Sequence, residues 1–450
     1  MLRTIKSLSG IVLPLFCTVI LYSALVSFIS INLSCNSSSQ KIVTTDSIIY
    51  IQLPEPSPVS ASESARIYQP AKAWFDLVLK ASGFNGGMLI AKNGNVIFEG
   101  YNGTAHIPGK DSITANTPMH IASTSKTFTA MAILKLWQEG KLDLEDDLTK
   151  YFPQFNYPGV TIKTLLNHRS GLPNYTHYME EKIEWDKTKI ATNEDILNTL
   201  ILNKAILPAA PKADTKFAYC NTNFALLALV IEKVTGKKYS EYLQQTFFKP
   251  LQMKNTFVFD IADTAKVQPS YDWRNTLQPF NFLDAVYGDK NIYTTPRDLM
   301  IWDRALKSGT LFTEKTMAAA YTPYSNERPG VKNYGLGWRM NIYPNGKKIV
   351  FHNGWWHGSN SVFTRMLEDS VTIIVIGNKF NRNIYHTAKL ANLFGEYYSG
   401  EEEDNETSKN KDSLTIFKNP ELITTSEPLD TIQQKQPATR QVMKPKKAKN

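Results

Sequence analysis

The sequence predicts an α+β fold, and three observations carry that prediction. A strong hairpin signal stands early in the chain, two mostly apolar helices occupy its middle, and short apolar strand runs return near its end. In chain order, the first element is a helix expected near Ala71 to Ala81. Met88-Leu89-Ile90-Ala91 and Val96-Ile97-Phe98-Glu99 then flank Asn93-Gly94, a pair suited to the positive φ angles of a two-residue turn. Thr127 to Trp137 reads as a mostly apolar helix closed by Gly140, and Phe224 to Glu232 as a second one stopped by Gly236, each glycine standing where a left-handed C-cap is expected. Strands are expected around Ile349 to Phe351, Ser361 to Met366 and Val371 to Ile376, followed by a closing helix near Asn383 to Tyr398.

The flanks read differently. Arg3 and Lys6 precede a run without charged residues from Ser7 to Gln40, strongly apolar from Ile11 to Leu33 and long enough to span a bilayer. Residues 1–35 are therefore expected to be a signal peptide or membrane anchor, which makes the membrane a partner through the N-terminal segment. Cys35 after Leu33-Ser34 allows a lipoprotein reading, although Asn32 stands where the usual lipobox has leucine. Both readings place the catalytic domain in the cell envelope, outside the cytoplasm. Residues 36–70, rich in Ser, Pro and Thr, are expected to be a tether. Residues 71–400 form the expected domain, and 401–450 a disordered charged tail.

Composition narrows the function. The 50 basic and 41 acidic residues leave a net charge of +9, but no basic stripe interleaved with aromatics runs through the domain, so no nucleic-acid partner is expected. Cys220 is the only cysteine in the domain, which excludes an intradomain disulfide. The seven histidines are scattered, and only His352 and His357 lie close together, without a third residue at ligand spacing. No metal or other cofactor is expected.

Chemistry is carried by three clusters. Ser123-Thr124-Ser125-Lys126 stands at the entrance of the first apolar helix. A lysine three residues on lies one turn away on the same face, within reach of the serine hydroxyl, which needs a base to become a nucleophile. A helix N-terminus also favours developing negative charge. The spacing alone is weak, since Ser38/Lys41 and Ser408/Lys411 repeat it in polar surroundings. Tyr219-Cys220-Asn221 sits at the entrance of the second helix. His352-Asn353-Gly354-Trp355 follows a short buried strand. Taken singly, each cluster also fits an ordinary cap or core residue.

Taken in this order, the clusters resemble the serine β-lactamase and D,D-peptidase superfamily, in the branch of class C β-lactamases, D,D-carboxypeptidases and related esterases. Leu165-Leu166-Asn167-His168-Arg169-Ser170-Gly171-Leu172-Pro173, Tyr293-Thr294-Thr295-Pro296-Arg297-Asp298-Leu299 and Tyr334-Gly335-Leu336-Gly337-Trp338 are similar to further landmarks of that branch. The resemblance covers roughly residues 71 to 400. It implies one antiparallel sheet, flanked by helices and built from the early and late strands, plus a mainly helical lobe, with the active site between them. It implies an acyl-enzyme on Ser123, with Lys126 and Tyr219 sharing the general-base work. Asn221, His352, Asn353, Gly354 and Trp355 would bind substrate, with the backbone N–H groups of Ser123 and Trp355 forming the oxyanion hole.

One departure bears on substrate. His352-Asn353-Gly354 stands where penicillin-binding relatives usually carry Lys-Thr/Ser-Gly, and a histidine of reference pKa about 6.5 is mostly neutral at pH 7. The expected function is hydrolysis of an ester, amide or peptide, a small-molecule or peptide substrate, in the bacterial cell envelope. Narrower alternatives are a D,D-carboxypeptidase or β-lactamase, and a membrane-tethered homologue that binds without turnover.

Overall fold

The computed structural model describes residues 49–327 and 329–397. The N-terminal apolar segment, Cys35 and the tail from Glu401 lie outside the described residues. Among the described residues, no helix is long and apolar enough to cross a membrane.

In chain order the strands are β1 (Gly86–Lys92), β2 (Asn95–Asn102), β3 (Met119–His120), β4 (Phe257–Val258), β5 (Ser270–Tyr271), β6 (Leu277–Gln278), β7 (Ile292–Thr294), β8 (Lys332–Tyr334), β9 (Arg339–Ile342), β10 (Lys348–Trp356), β11 (Ser359–Met366) and β12 (Val371–Gly377). Seven of them form one sheet in the order β2-β1-β12-β11-β10-β9-β8, antiparallel throughout. The β1–β12 pairing joins the chain's early and late strands. At the β1–β2 turn, Asn93 (φ 54°) and Gly94 (φ 85°) take the left-handed angles that the hairpin signal requires.

Side-chain alternation divides this sheet between two cores. Met88, Ile90, Val371, Ile373 and Val375 face one core with Trp74 and Phe75; Leu89, Ala91, Ile374 and Ile376 face the other, larger one. Both faces are covered, so β12 is buried along its whole length and reads as a continuous apolar run. The larger core surrounds two helices, α2 (Ser125–Gln138) and α4 (Asn221–Thr235), with α3 (Asn193–Leu202) packed against α4. Every residue from Ser125 to Leu134 is buried, as expected of a helix that is apolar nearly all round. Gly140 (φ 68°) and Gly236 (φ 66°) sit just past these helices in the left-handed region.

Two boundaries differ from the sequence reading. The first helix, α1 (Ala61–Trp74), starts ten residues before Ala71, inside the segment read as tether. The Ser60 side chain caps it by accepting from the Glu63 N–H, and Ile67, Ala71 and Trp74 bury one stripe of it. Residues 49–60 also lie against the domain: the Ile51 N–H donates to the Pro250 carbonyl, and Arg304 donates to that of Pro54. Their Ser/Pro composition hid a short apolar pattern. At the other end, the closing helix is a 3₁₀ helix over Arg382–Leu393, five residues short of the expected end at Tyr398, which lies outside the described residues.

A buried ion pair ties sheet to helix. Arg365 of β11 and Asp303 of α5 (Pro296–Lys307) meet at 2.6 Å, each side chain only 1% exposed. Replacing Arg365 by methionine leaves the Asp303 carboxylate buried without its main partner. The expected cost is about 3–5 kcal/mol, measurable as a lowered urea midpoint. A midpoint within error of wild type would show that Lys307, 3.8 Å from Asp303, is a sufficient partner.

Candidate active site

Ser123 lies at the junction of sheet and helical lobe, in a short 3₁₀ turn (Ala122–Thr124) just before α2. Ala122 holds φ 48°, a strained angle for alanine that redirects the chain between β3 and α2. The turn is fastened to the sheet. The Ser361 hydroxyl donates to the Ile121 carbonyl at 2.7 Å, and Thr124 Oγ1 lies 2.8 Å from Ser361 Oγ and 3.3 Å from the His352 carbonyl oxygen. A Cβ on Gly354 would stand 2.1 Å from the Ile121 carbonyl oxygen, so only glycine lets β10 approach the nucleophile turn this closely.

β10 also has a free edge. Its pairing with β9 ends at Phe351, leaving His352 to Trp356 without a strand partner on that side among the described residues. The two-residue turn His357-Gly358 sets Trp356 opposite Ser359 as the hydrogen-bonded closing pair. Alternation then directs the main-chain groups of Asn353 and Trp355 off the free edge. The Trp355 N–H is thus directed toward a substrate lying along β10, while the Asn353 carbonyl already accepts from His352 Nδ1.

Lys126 is 0% exposed, and its Nζ has three acceptors: Ser123 Oγ at 3.1 Å, Asn221 Oδ1 at 2.8 Å and the Asp289 carbonyl oxygen at 2.8 Å. Among the described residues, no carboxylate forms an ion pair with it. The Asp289 carbonyl is held by a second buried cluster, in which Tyr175 donates to Asp289 Oδ2 at 2.9 Å and Lys290 donates to the Tyr175 hydroxyl. Asn221 begins α4, its N–H donating to Asn174 Oδ1 at 3.2 Å, which fixes the side chain toward Lys126.

Tyr219, half-buried, sits among two cations and two imidazoles. Lys126 Nζ lies 5.2 Å and the Arg339 guanidinium 4.9 Å from its ring centre, while the His168 and His352 rings lie 4.4 and 6.3 Å away. Both imidazoles are buried and held neutral. Burial pushes each well below the ordinary histidine range, and Lys126 and Arg339 add to the effect.

Hydrogen bonds fix their tautomers. His352 Nδ1 donates to the Asn353 carbonyl at 2.8 Å, leaving Nε2 to accept from the Tyr334 hydroxyl at 3.2 Å. His168 Nδ1 accepts the Cys220 N–H at 3.1 Å, so its proton sits on Nε2, which has no partner among the described residues. With φ 57° as well, His168 is strained and under-satisfied, a combination that concentrates at functional sites.

The structure thus brings Ser123, Lys126, Asn221 and Tyr219 together and sets Gly354 against the nucleophile turn. His352 is wholly buried behind Tyr219, and the Trp355 side chain is 62% exposed and packs on Phe380, so the polar contribution of Trp355 is its backbone. Cys220 is buried; burial pushes its thiol up, and Sγ donates to the Leu172 carbonyl at 3.3 Å, leaving it inert. Sequence reasoning assigned no role to Arg339 or His168. Arg339 directly follows the Tyr334–Trp338 landmark, and His168 lies inside the Leu165–Pro173 segment, so both were in view without a signal of contact.

Residues 73–394 match the Beta-lactamase family. The chain belongs to that family. Among its relatives is Penicillin-binding protein 4* of Bacillus subtilis, 30% identical over 74% of this chain and 78% of the relative. Protein flp of Staphylococcus aureus is 29% identical over 69% of this chain, which spans 60% of that relative's length. Among solved structures, a penicillin binding protein from Bacillus halodurans shares the Beta-lactamase-family fold at TM-score 0.63 and 24% identity, over 71% of this chain and 99% of that one. FmtA from Staphylococcus aureus shares it at TM-score 0.59 and 25% identity, over 75% and 92%. The family's members are serine hydrolases, and the expected antiparallel sheet with flanking helices is the fold observed.

Proposed function

We propose that this chain forms an acyl-enzyme on Ser123 and hydrolyses an ester, amide or peptide in the bacterial cell envelope. The observation that carries this reading is the 3.1 Å contact between the buried Lys126 Nζ and Ser123 Oγ. The substrate carbonyl would lie on the free edge of β10, its oxygen between the N–H groups of Ser123 and Trp355. As Oγ attacks, its proton passes to Lys126 or Tyr219 and then to the leaving group. Water, deprotonated by the same pair, releases the acyl group and restores Ser123.

A second reading, a D,D-carboxypeptidase or β-lactamase, gains support from Arg339. Neutral His352 supplies no charge for a substrate carboxylate, but the Arg339 guanidinium beside the Tyr219 ring does. Nucleophile, lysine and tyrosine are all in place, which argues against a homologue that only binds. Envelope location is favoured by the penicillin-binding relatives.

The test is intact mass after rapid quenching with penicillin and, separately, with a p-nitrophenyl ester. Ester and penicillin adducts that both vanish in Ser123→Ala would favour the second reading; an ester adduct alone would favour an esterase or amidase. No adduct with either would leave only the binding homologue.

A further inference from the structure

The proposed hydrolysis uses Lys126, yet a second buried lysine stands beside it. Lys290 is 2% exposed and lies on the loop before β7, one residue after the carbonyl that orients Lys126. That loop is pinned along α2. Thr129 Oγ1 donates to the Gly288 carbonyl at 2.6 Å, Lys126 Nζ to the Asp289 carbonyl at 2.8 Å, and the Ile292 N–H to Ser125 Oγ at 3.1 Å.

Asp289 and Lys290 form a buried ion pair, each side chain only 2% exposed. Asp289 Oδ2 accepts from Tyr175 at 2.9 Å. Its Oδ1 accepts no hydrogen bond among the described residues and faces Lys290 Nζ at 3.6 Å. Lys290 Nζ donates to the Tyr175 hydroxyl and lies 4.7 Å from the Trp356 ring centre and 5.0 Å from that of Tyr175. The other carboxylate near it, Asp284, is taken up by Trp356 Nε1 at 2.5 Å and His357 Nε2 at 3.0 Å, which leaves Asp289 as the partner of Lys290. Of the remaining groups around the two lysines, Arg339 lies against the Tyr219 ring, and burial keeps His120, His168 and His352 neutral.

A pair like this adds little net stability, because removing both charges from water offsets their attraction. Its consequence is electrostatic. Asp289 offers Lys126 a carbonyl and carries a carboxylate as well. An uncompensated carboxylate that near would hold Lys126 as an ammonium ion, which cannot take the Ser123 proton. A cation paired with the carboxylate removes that hold. Burial pushes Lys290 below the ordinary lysine range, Asp289 and Asp284 act against this and Lys126 adds to it, so the two lysines lie within electrostatic reach of each other. We propose that Lys290 is a positioning residue for the reaction: it cancels the Asp289 charge, so that Asp289 orients Lys126 through its carbonyl without fixing its proton. This inference rests on the reading of Lys126 as a base for Ser123.

The experiment measures kcat and KM for a p-nitrophenyl ester across the pH range, with a urea midpoint at each pH, in wild type, Lys290→Met, Lys290→Met/Asp289→Asn and Lys126→Met. Lys290→Met is expected to lower kcat about tenfold at neutral pH with KM within about twofold, its acid limb rising by about one pH unit, clear of its own unfolding curve. The double variant removes both charges and is expected to return within about threefold of wild type. A merely structural role predicts the reverse, a double variant no faster than the single one at any pH. Lys290→Gln loses the charge but can still hydrogen-bond the Tyr175 hydroxyl; it is expected to move the acid limb the same way and serves if Lys290→Met does not fold. An unmoved acid limb in both single variants, or a double variant as slow as the single, would overturn the inference while Lys126→Met remained inactive. Lys126→Met at the wild-type rate would instead remove the base reading, and this inference with it.

Discussion

Replacing Lys126 by methionine is expected to lower kcat/KM by about 10⁴-fold or more, the upper range for loss of a general base. Methionine keeps most of the side-chain length and suits a site that is 0% exposed, so the helix around it persists. What disappears is the nitrogen bridging Ser123 Oγ, Asn221 Oδ1 and the Asp289 carbonyl. Tyr219→Phe keeps the ring against His168 and between the two cations and removes only the hydroxyl, with an expected loss of about 10²–10⁴-fold. The double variant is expected to be little worse than Lys126→Met, because residues that act as a unit lose their effect together. The single-variant rates at several pH values would show which group is the main base. Lys126→Met within tenfold of wild type would sink the mechanism.

Much of the architecture was legible because local signals agree with burial. Asn93-Gly94 fixes a turn, Gly140 and Gly236 stop helices, and the apolar runs of β11 and β12 are long enough to mark strands covered on both faces. The start of α1 was not legible: three apolar residues spaced along a Ser/Pro/Glu-rich stretch bury one stripe, and composition outweighs so sparse a pattern. In the active site, Ser123, Lys126, Tyr219 and Asn221 could be singled out because their types and local spacing carry chemistry. Arg339 and His168 could not. Their contacts with Tyr219 are made across the fold, by β9 lying beside β10 and by the loop before α4, and no local spacing records them. The same holds for Tyr175 and Lys290, which are 115 residues apart and joined by one hydrogen bond.

Acidification from pH 7 to pH 5 is expected to lower stability, by about 2 kcal/mol through His120 alone. His120, His168 and His352 are all buried, and burial is the chief cause that lowers each below its ordinary value. In the unfolded chain the same imidazoles titrate near pH 6.5. Below that value the unfolded state binds protons that the native state refuses. The stability is therefore complete above about pH 6.5 and is lost as pH falls toward the depressed native values. His120, pushed down to about 3, stays neutral at pH 5 and gives a slope of up to one proton, about 1.4 kcal/mol per pH unit, and His168 and His352 act in the same direction. Domains usually have about 5–15 kcal/mol in total, so the loss is a measurable share of the whole. Urea titrations at half-unit steps from pH 8 to 5 measure it directly, and a flat midpoint would mean that these rings gain protons without unfolding. Because His168 and His352 flank Tyr219, the acid limb of any pH–rate profile is expected to follow this unfolding curve, with activity recovered on return to pH 7. An acid limb well above the unfolding range would instead place the titrating group on the catalytic pair itself.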